Sequence, residues 1–255
     1  MEPLIVRLQE NLKVRIYPYD VIGKYIFVDG VFEPREWEFV AHFLGRGMTV
    51  FDLGANLGQY TLLAAKCVGP TGIVHSFEPS SRMFGELLFN VELNSMSETC
   101  VLNNMAVSDR QGDARLSKYA PGGEVFGSLA TQHRKSDDAI TGYEQVETTT
   151  LDVYVHEKGI SRVDFIKMDI EGAELLALQG AARLLSGRGA PAILVELADI
   201  NAKGFAYRAL DTWDFLVNLG YQMYSLGEEG RDLHVMERPH DFSVAANVVA
   251  VKRER

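Results

Sequence analysis

Hydrophobic and polar positions repeat with two different periods along most of this chain. Short β-rich apolar runs fall at 49–53, 73–78, 99–104, 163–168 and 192–197. Apolar residues recur at helical spacing over 57–68, 81–94, 171–186 and 207–219. Phe84, Leu87, Leu88 and Val91 share one face of the second of these helices, which Pro79 and Ser80 open. Strands alternating with helices predict βαβ units, hence an α/β fold with a mostly parallel sheet covered on both faces. Before residue 48 the chain is β-leaning at 14–17 and 25–28, with a turn at Asp29-Gly30. A helical stripe follows from Pro34 through Trp37, Val40, Ala41 and Leu44 to a stop at Gly45. Residues 1–47 are therefore expected to form a strand pair and a helix that cover the sheet.

Two stretches break the alternation. Residues 108–147 hold Gly112, Gly122-Gly123 and Gly127 among many polar residues, which predicts a hairpin plus a long flexible loop. Residues 222–226 and 246–252 read as two strands joined by a charged loop, an antiparallel hairpin entering the sheet. No repeat, low-complexity tract or linker divides the chain, so residues 1–255 are expected to form a single domain.

The most informative turn is the first one. A strand over Thr49 to Leu53 runs into Gly54, Asn56 and Gly58 and then into a helix, the strand–turn–helix that cradles ligands in open α/β sheets. Gly54 and Gly58 permit close backbone approach and positive φ, and Asn tolerates the left-handed region better than most residues. A dinucleotide site needs G-x-G-x-x-G and an acid about 20 residues on. Glu78 supplies the acid, but the glycine spacing is absent. The strand ends instead carry Asp52, Glu78, Asp169 and Glu196, a rim that repels a pyrophosphate. It suits a ligand bearing an ammonium, a sulfonium and ribose hydroxyls, as S-adenosyl-L-methionine does. Acids acting only as helix caps are the plainer alternative.

Composition agrees with a soluble globular class. The chain is 47% hydrophobic and 24% charged, with a formal net charge of −10, which disfavours nucleic acid and anionic membrane surfaces. No window approaches the length of a membrane span, and charged residues interrupt the N-terminal apolar positions where a signal peptide would be continuous. Cys67 and Cys100 make no disulfide framework and read as small hydrophobes in a reducing, cytoplasmic setting.

Val50-Phe-Asp-Leu-Gly-Ala-Asn-Leu-Gly-Gln-Tyr-Thr61, Phe77-Glu-Pro79, Asn90 with Asn94, Thr150-Leu-Asp152 and Phe165-Ile-Lys-Met-Asp-Ile-Glu-Gly-Ala-Glu174 occur in that order. Together they resemble the FkbM family of class I S-adenosylmethionine-dependent methyltransferases, from about residue 33 to the end. The resemblance implies a Rossmann-like seven-stranded sheet of order 3-2-1-4-5-7-6 with the last strand antiparallel. It also implies O-methylation of a small-molecule hydroxyl, on a sugar or a polyketide-like natural product. A nicotinamide-dependent oxidoreductase and a catalytically inactive cofactor-binding module are the alternatives.

Under that resemblance Asp52, Gly54, Asn56 and Gly58 hold the methionine end of the cofactor, with Tyr60 and the amides at the start of its helix near the carboxylate. Glu78 accepts the ribose hydroxyls, and the turn from Asn104 to Ala106 edges the adenine. Lys167 and Asp169 lie two apart on a strand and so face one side. Lys167 is read either as a structural ion pair with Asp169, Glu196 or Asp52, or as a catalytic lysine with a lowered pKa. Glu174 offsets the dipole of the helix it begins, and Glu171 lies nearer the pocket. For the hydroxyl proton the chain offers Asp169 or Glu171, or His133 once the long loop closes. Mg²⁺ on Asp169 and Glu196 is a further, less favoured arrangement. His75 is read as a core or edge residue. Tyr119, Phe126, Gln132, Arg134 and Tyr143 join His133 in a loop expected to cover the acceptor.

Overall fold

The computed structural model describes residues 2–119, 127–130 and 140–253. β1 (Leu4–Arg7) and β2 (Lys13–Ile16) form an antiparallel pair. The β-leaning residues 25–28 are not its partner: they belong to α1 (Val21–Asp29), which ends where Gly30 takes φ 83° and its N–H donates to Ile26 O. The reason lies on the free edge of β2, which side chains of a distant helix occupy. Asn90 Oδ1 accepts from Arg15 N at 2.7 Å, and Asn94 bonds both the N–H and the carbonyl of Lys13. With that edge filled, aromatic and β-branched residues have no ladder to join. Gly23 lets α1 pass over the carbonyl of Tyr17, which a Cβ would approach to 2.2 Å.

α2 (Pro34–Phe43) follows with proline in its first turn, and buries Trp37 and Val40 as its stripe predicts. β3 (Thr49–Leu53), α3 (Gln59–Val68), β4 (Ile73–Phe77), α4 (Ser81–Leu93) and β5 (Cys100–Asn103) then realise the expected alternation. β6 (Ala106–Val107), β7 (Gly112–Tyr119) and β8 (Ile140–Thr149) form a separate three-stranded sheet, of which β7 and β8 are the expected hairpin. Gly127 to Ala130 lies along that hairpin, with Ser117 N donating to Ser128 O. The remainder of the expected loop, including Phe126, Gln132, His133 and Arg134, lies outside the described residues.

α5 (Leu151–Glu157) was not anticipated. Thr150 Oγ1 accepts from Val153 N and starts it. β9 (Phe165–Met168) leads into α6 (Glu174–Gln179) and α7 (Ala182–Ser186), two helices where one was expected over 171–186. The break falls at Gly180, whose Cβ would stand 2.1 Å from Ser108 O. Asp152 stabilises it by accepting from Arg183 N and Leu184 N, both at 2.9 Å, so it caps α7 from across the fold. β10 (Ala192–Leu197), α8 (Asp199–Ala202), α9 (Ala209–Asn218), β11 (Tyr221–Leu226), β12 (Leu233–Val235) and β13 (Ala246–Lys252) complete the chain.

The main sheet has eight strands rather than seven, in the order β12-β11-β13-β10-β9-β3-β4-β5. β13 runs antiparallel to both neighbours, and β12 is an extra edge strand. Residues alternate between two cores: Val50 and Phe165 pack with Trp37, Leu62 and Leu87 on one face. Phe51, Phe77 and Ile166 pack with Tyr154 and Trp213 on the other. His75 sits in the core as expected, its Nδ1 2.8 Å from Tyr154 Oη, and burial lowers its pKa to about 4. Cys100 is buried and Cys67 half-buried, both free thiols. Among the described residues no helix is long and apolar enough to cross a membrane.

Candidate active site

At the C-terminal ends of β3, β4 and β9 an open cleft holds about 970 Å³ of empty space, its mouth included. This is where ligands of open α/β sheets bind. Two turns build its floor. In the first, Gly54 has φ 80°, Asn56 φ 50° and Gly58 φ 97°. Gly54 must be glycine for a second reason: a Cβ there would lie 1.9 Å from the carbonyl of Asp169. Gly58 instead packs on α4, where a Cβ would meet Leu87 at 2.8 Å. Gly54, Asn56 and Tyr60 line the cleft, whereas Gly58 supports the turn from behind.

Glu78 also lines the cleft and ties this turn down. One carboxylate oxygen accepts from Asn56 N at 2.8 Å and the other from Ser80 N at 2.9 Å. Burial raises its pKa to about 7, although these two bonds work in the opposite direction. Ala106 lies in the wall with Met105, Val107, Leu116 and Leu129, an apolar slot of the same cleft that Glu78 lines. Asn104 does not reach the slot. Its Nδ2 donates to the carbonyls of Glu78 and Pro79, so it braces the strand end that carries Glu78.

The second turn spans residues 169–173. Glu171 takes φ 52° and Gly172 φ 101°. Glu174 clamps the turn, its Oε1 accepting from Ile170 N and Gly172 N, both at 3.1 Å. Its role is thus wider than a charge at a helix start. Burial raises its pKa to about 7. Tyr207 adds a hydrogen bond to Gly172 O, and Ser128 Oγ donates to Glu171 O at 2.8 Å. Asp169 and Glu171 line the cleft from this turn.

Lys167 lies directly opposite Asp52 in the β3–β9 register and on the same face of the sheet. Its Nζ is 3.3 Å from Asp169 Oδ2 and 5.0 Å from the ring centre of Tyr60. Asp169, Asp52 and Glu33 together hold its pKa above the usual lysine value, against the effect of burial. The lysine is thus placed as an ammonium paired with the Asp169 carboxylate, the structural ion-pair arrangement. Asp52 is 1% exposed and does not line the cleft. Its Oδ2 accepts from Thr61 Oγ1 at 2.6 Å, while Oδ1 has no hydrogen-bond partner among the described residues. It acts on the site from beneath, as charge beside Lys167. Glu196 is also off the cleft. Burial and the neighbouring Asp169 raise its pKa to about 8, and it accepts from Asn201 at 3.3 Å. Among the described residues no three His, Cys, Asp or Glu side chains gather as a metal site, so the Asp169–Glu196 pair lacks further ligands.

The N-terminal segment also contributes to the site, which no pattern in the sequence signals. Ile22 and Phe32 line the cleft. Glu33, at the start of α2, accepts from Tyr60 Oη at 3.0 Å and from Asn247 Nδ2 at 2.8 Å. These contacts join residues 27 and 214 positions apart, and no local pattern signals them.

The family model described as "Methyltransferase FkbM domain" matches residues 52–223. The 31-O-demethyl-FK506 methyltransferase FkbM of Streptomyces tacrolimicus is 28% identical over 158 residues, 52% of this chain and 59% of that protein. Methyltransferase 1 of Beauveria bassiana (strain ARSEF 2860) is 27% identical over 174 residues, 63% of this chain and 66% of that protein. The chain thus spans less than two thirds of each relative's length. The crystal structure of the O-methyltransferase from Bacillus cereus in complex with SAH aligns with a TM-score of 0.50 at 12% identity, over 87% of this chain and 82% of that one. That likeness concerns the fold, a Rossmann-like class I arrangement.

Proposed function

We propose, from the premise that this chain belongs to the FkbM family of methyltransferases, that it carries a methyl group from S-adenosyl-L-methionine to a hydroxyl of a small molecule, a sugar or a polyketide-like compound. The observation that carries the cofactor reading is the Glu78 carboxylate, fixed by two backbone N–H groups in a cleft that also holds an apolar slot. A carboxylate so held retains lone pairs for a vicinal diol, and the slot accepts a flat ring. The residues present therefore fit a nucleoside bearing positive charge. Glu78 would take the ribose hydroxyls and Met105 to Val107 the base. Asp169 and the turn from Gly54 to Asn56 would meet the amino-acid end.

When bound, the cofactor supplies a methyl group activated by a sulfonium. The protein's part is alignment and proton removal. Lys167, kept protonated, holds the Asp169 carboxylate toward the cleft. The carboxylate of Glu171 or Asp169 would take the proton that the acceptor hydroxyl loses as its oxygen replaces the sulfonium sulfur on the methyl carbon. His133, the other proton acceptor, lies outside the described residues. The acid-lined cleft favours a neutral or cationic acceptor.

Titration calorimetry with S-adenosylhomocysteine tests the reading: micromolar binding is expected, and its absence would overturn it. A panel of sugars and hydroxylated natural products, assayed for methyl transfer, then tests the acceptor class.

A further inference from the structure

Gln59 is 5% exposed, yet both ends of its amide are spent on one residue. Its Oε1 accepts from Phe32 N, and its Nε2 donates to Phe32 O, each at 2.8 Å. A side chain that reproduces both bonds of a β-ladder fixes the height and orientation of a backbone segment. The next residue, Glu33, is bound just as firmly. It takes φ 54° and ψ 65°, a left-handed conformation that few residues with a Cβ adopt. Both its carboxylate oxygens are bonded, one to Tyr60 and one to Asn247. Strain in a non-glycine residue persists only when the surroundings over-determine it.

These contacts converge on a single outcome. Gln59 and Tyr60 begin α3, at the end of the first turn, and both line the cleft. Phe32, whose backbone Gln59 holds and which Glu33 follows, lines the same cleft with Ile22. Tyr25 of α1 packs on it, ring centres 5.6 Å apart. Phe32 lies outside residues 52–223, the segment matched by the family model.

We infer that Phe32 is a ligand-binding residue, a wall of the cofactor cleft contributed by the N-terminal segment, and that Gln59 and Glu33 are its positioning residues. The inference rests on the cofactor reading above. It predicts that the cleft is complete only while residues 22–33 are seated. Ligand binding therefore orders this segment as well as the sheet turns.

The test uses the full chain with S-adenosylhomocysteine as probe. Phe32→Ala and Gln59→Met are each expected to weaken binding about tenfold, mainly through faster dissociation. Phe32→Leu, which keeps an apolar side chain, should lose about threefold. Amide hydrogen exchange over residues 22–33 should slow when the probe is added to the unaltered protein. Melting temperatures of the ligand-free variants control for folding, and Phe32→Leu carries the test if the larger changes fail to fold. Variants that bind as the unaltered protein does, or exchange over 22–33 that ignores the probe, would overturn the inference. Failure of the unaltered protein to bind the probe would instead overturn the cofactor reading on which it rests.

Discussion

The two turns at the ends of β3 and β9 are built alike and used differently. In each, one buried glutamate accepts two backbone N–H groups: Glu78 from Asn56 and Ser80, Glu174 from Ile170 and Gly172. In each, a residue with a Cβ stands in the left-handed region, Asn56 at φ 50° and Glu171 at φ 52°. Burial raises both carboxyls to a pKa of about 7. The difference is where the clamp faces. Glu78 opens onto the cleft, and Glu174 does not. The same device thus serves once as a clamp that itself lines the cleft, and once as a clamp that presents other side chains, Asp169 and Glu171.

The contact between the turns is the place to break both. Gly54→Ala would force a Cβ against the Asp169 carbonyl in a backbone at φ 80°. It should cost more than about 3 kcal/mol or prevent folding, read by denaturant unfolding. Separating the two clamps comes next. Glu78→Ala should weaken S-adenosylhomocysteine binding about 100-fold, because two charge-assisted hydrogen bonds are lost. Glu174→Ala should weaken it less than about fivefold but lower stability by about 2–3 kcal/mol, since it strands amides away from the cleft. Equal binding losses in the two variants would erase the proposed distinction.

The shared high pKa makes the comparison pH-dependent with opposite signs. Glu78, Glu174 and Glu196 are raised in the folded protein, to about 7, 7 and 8, above ordinary unfolded values. The folded state then binds more protons, so this contribution is complete below about pH 4.5 and is lost as pH rises through 7 to 8. The ligand-free melting temperature should fall by several degrees between pH 5 and 8.5. Probe affinity should instead rise over pH 6 to 8, as Glu78 ionises to a better hydrogen-bond acceptor, and Glu78→Gln should flatten that rise. Tyr207→Phe is the mildest change: it removes the bond to Gly172 O together with longer ones to Glu174 and Leu175 N, and should cost about 1–2 kcal/mol without moving probe affinity.

Much of this was legible in the chain because the causes are local. The apolar periods of β3, α3, β4 and α4 predicted those elements within a residue or two. Glycines at 54 and 58, the acid at 78 and the two-residue spacing of Lys167 and Asp169 marked the floor of the cleft. Residues 25–28 misled because their strand propensity is genuine, but Asn90 and Asn94 had filled the edge such a strand needs. One helix became two at Gly180 because Ser108, far away in sequence, passes too close for any side chain.

By itself the sequence determined the α/β alternation, the acid rim and the absence of a dinucleotide spacing. These follow from period, residue type and short separations along the chain. Tertiary structure alone decided which acids face the cleft. Asp52 and Glu196 lie off the cleft while Glu78, Asp169 and Glu171 line it, and Lys167 is held charged by carboxylates brought from three elements. It alone brought Phe32 to the cleft and Glu33 onto Tyr60 beside it, because a hydrogen bond spanning 27 or 214 residues leaves no mark on any local pattern. Burial, which sets the pKa values of the two clamps, is likewise a property of the assembled fold and of no single segment.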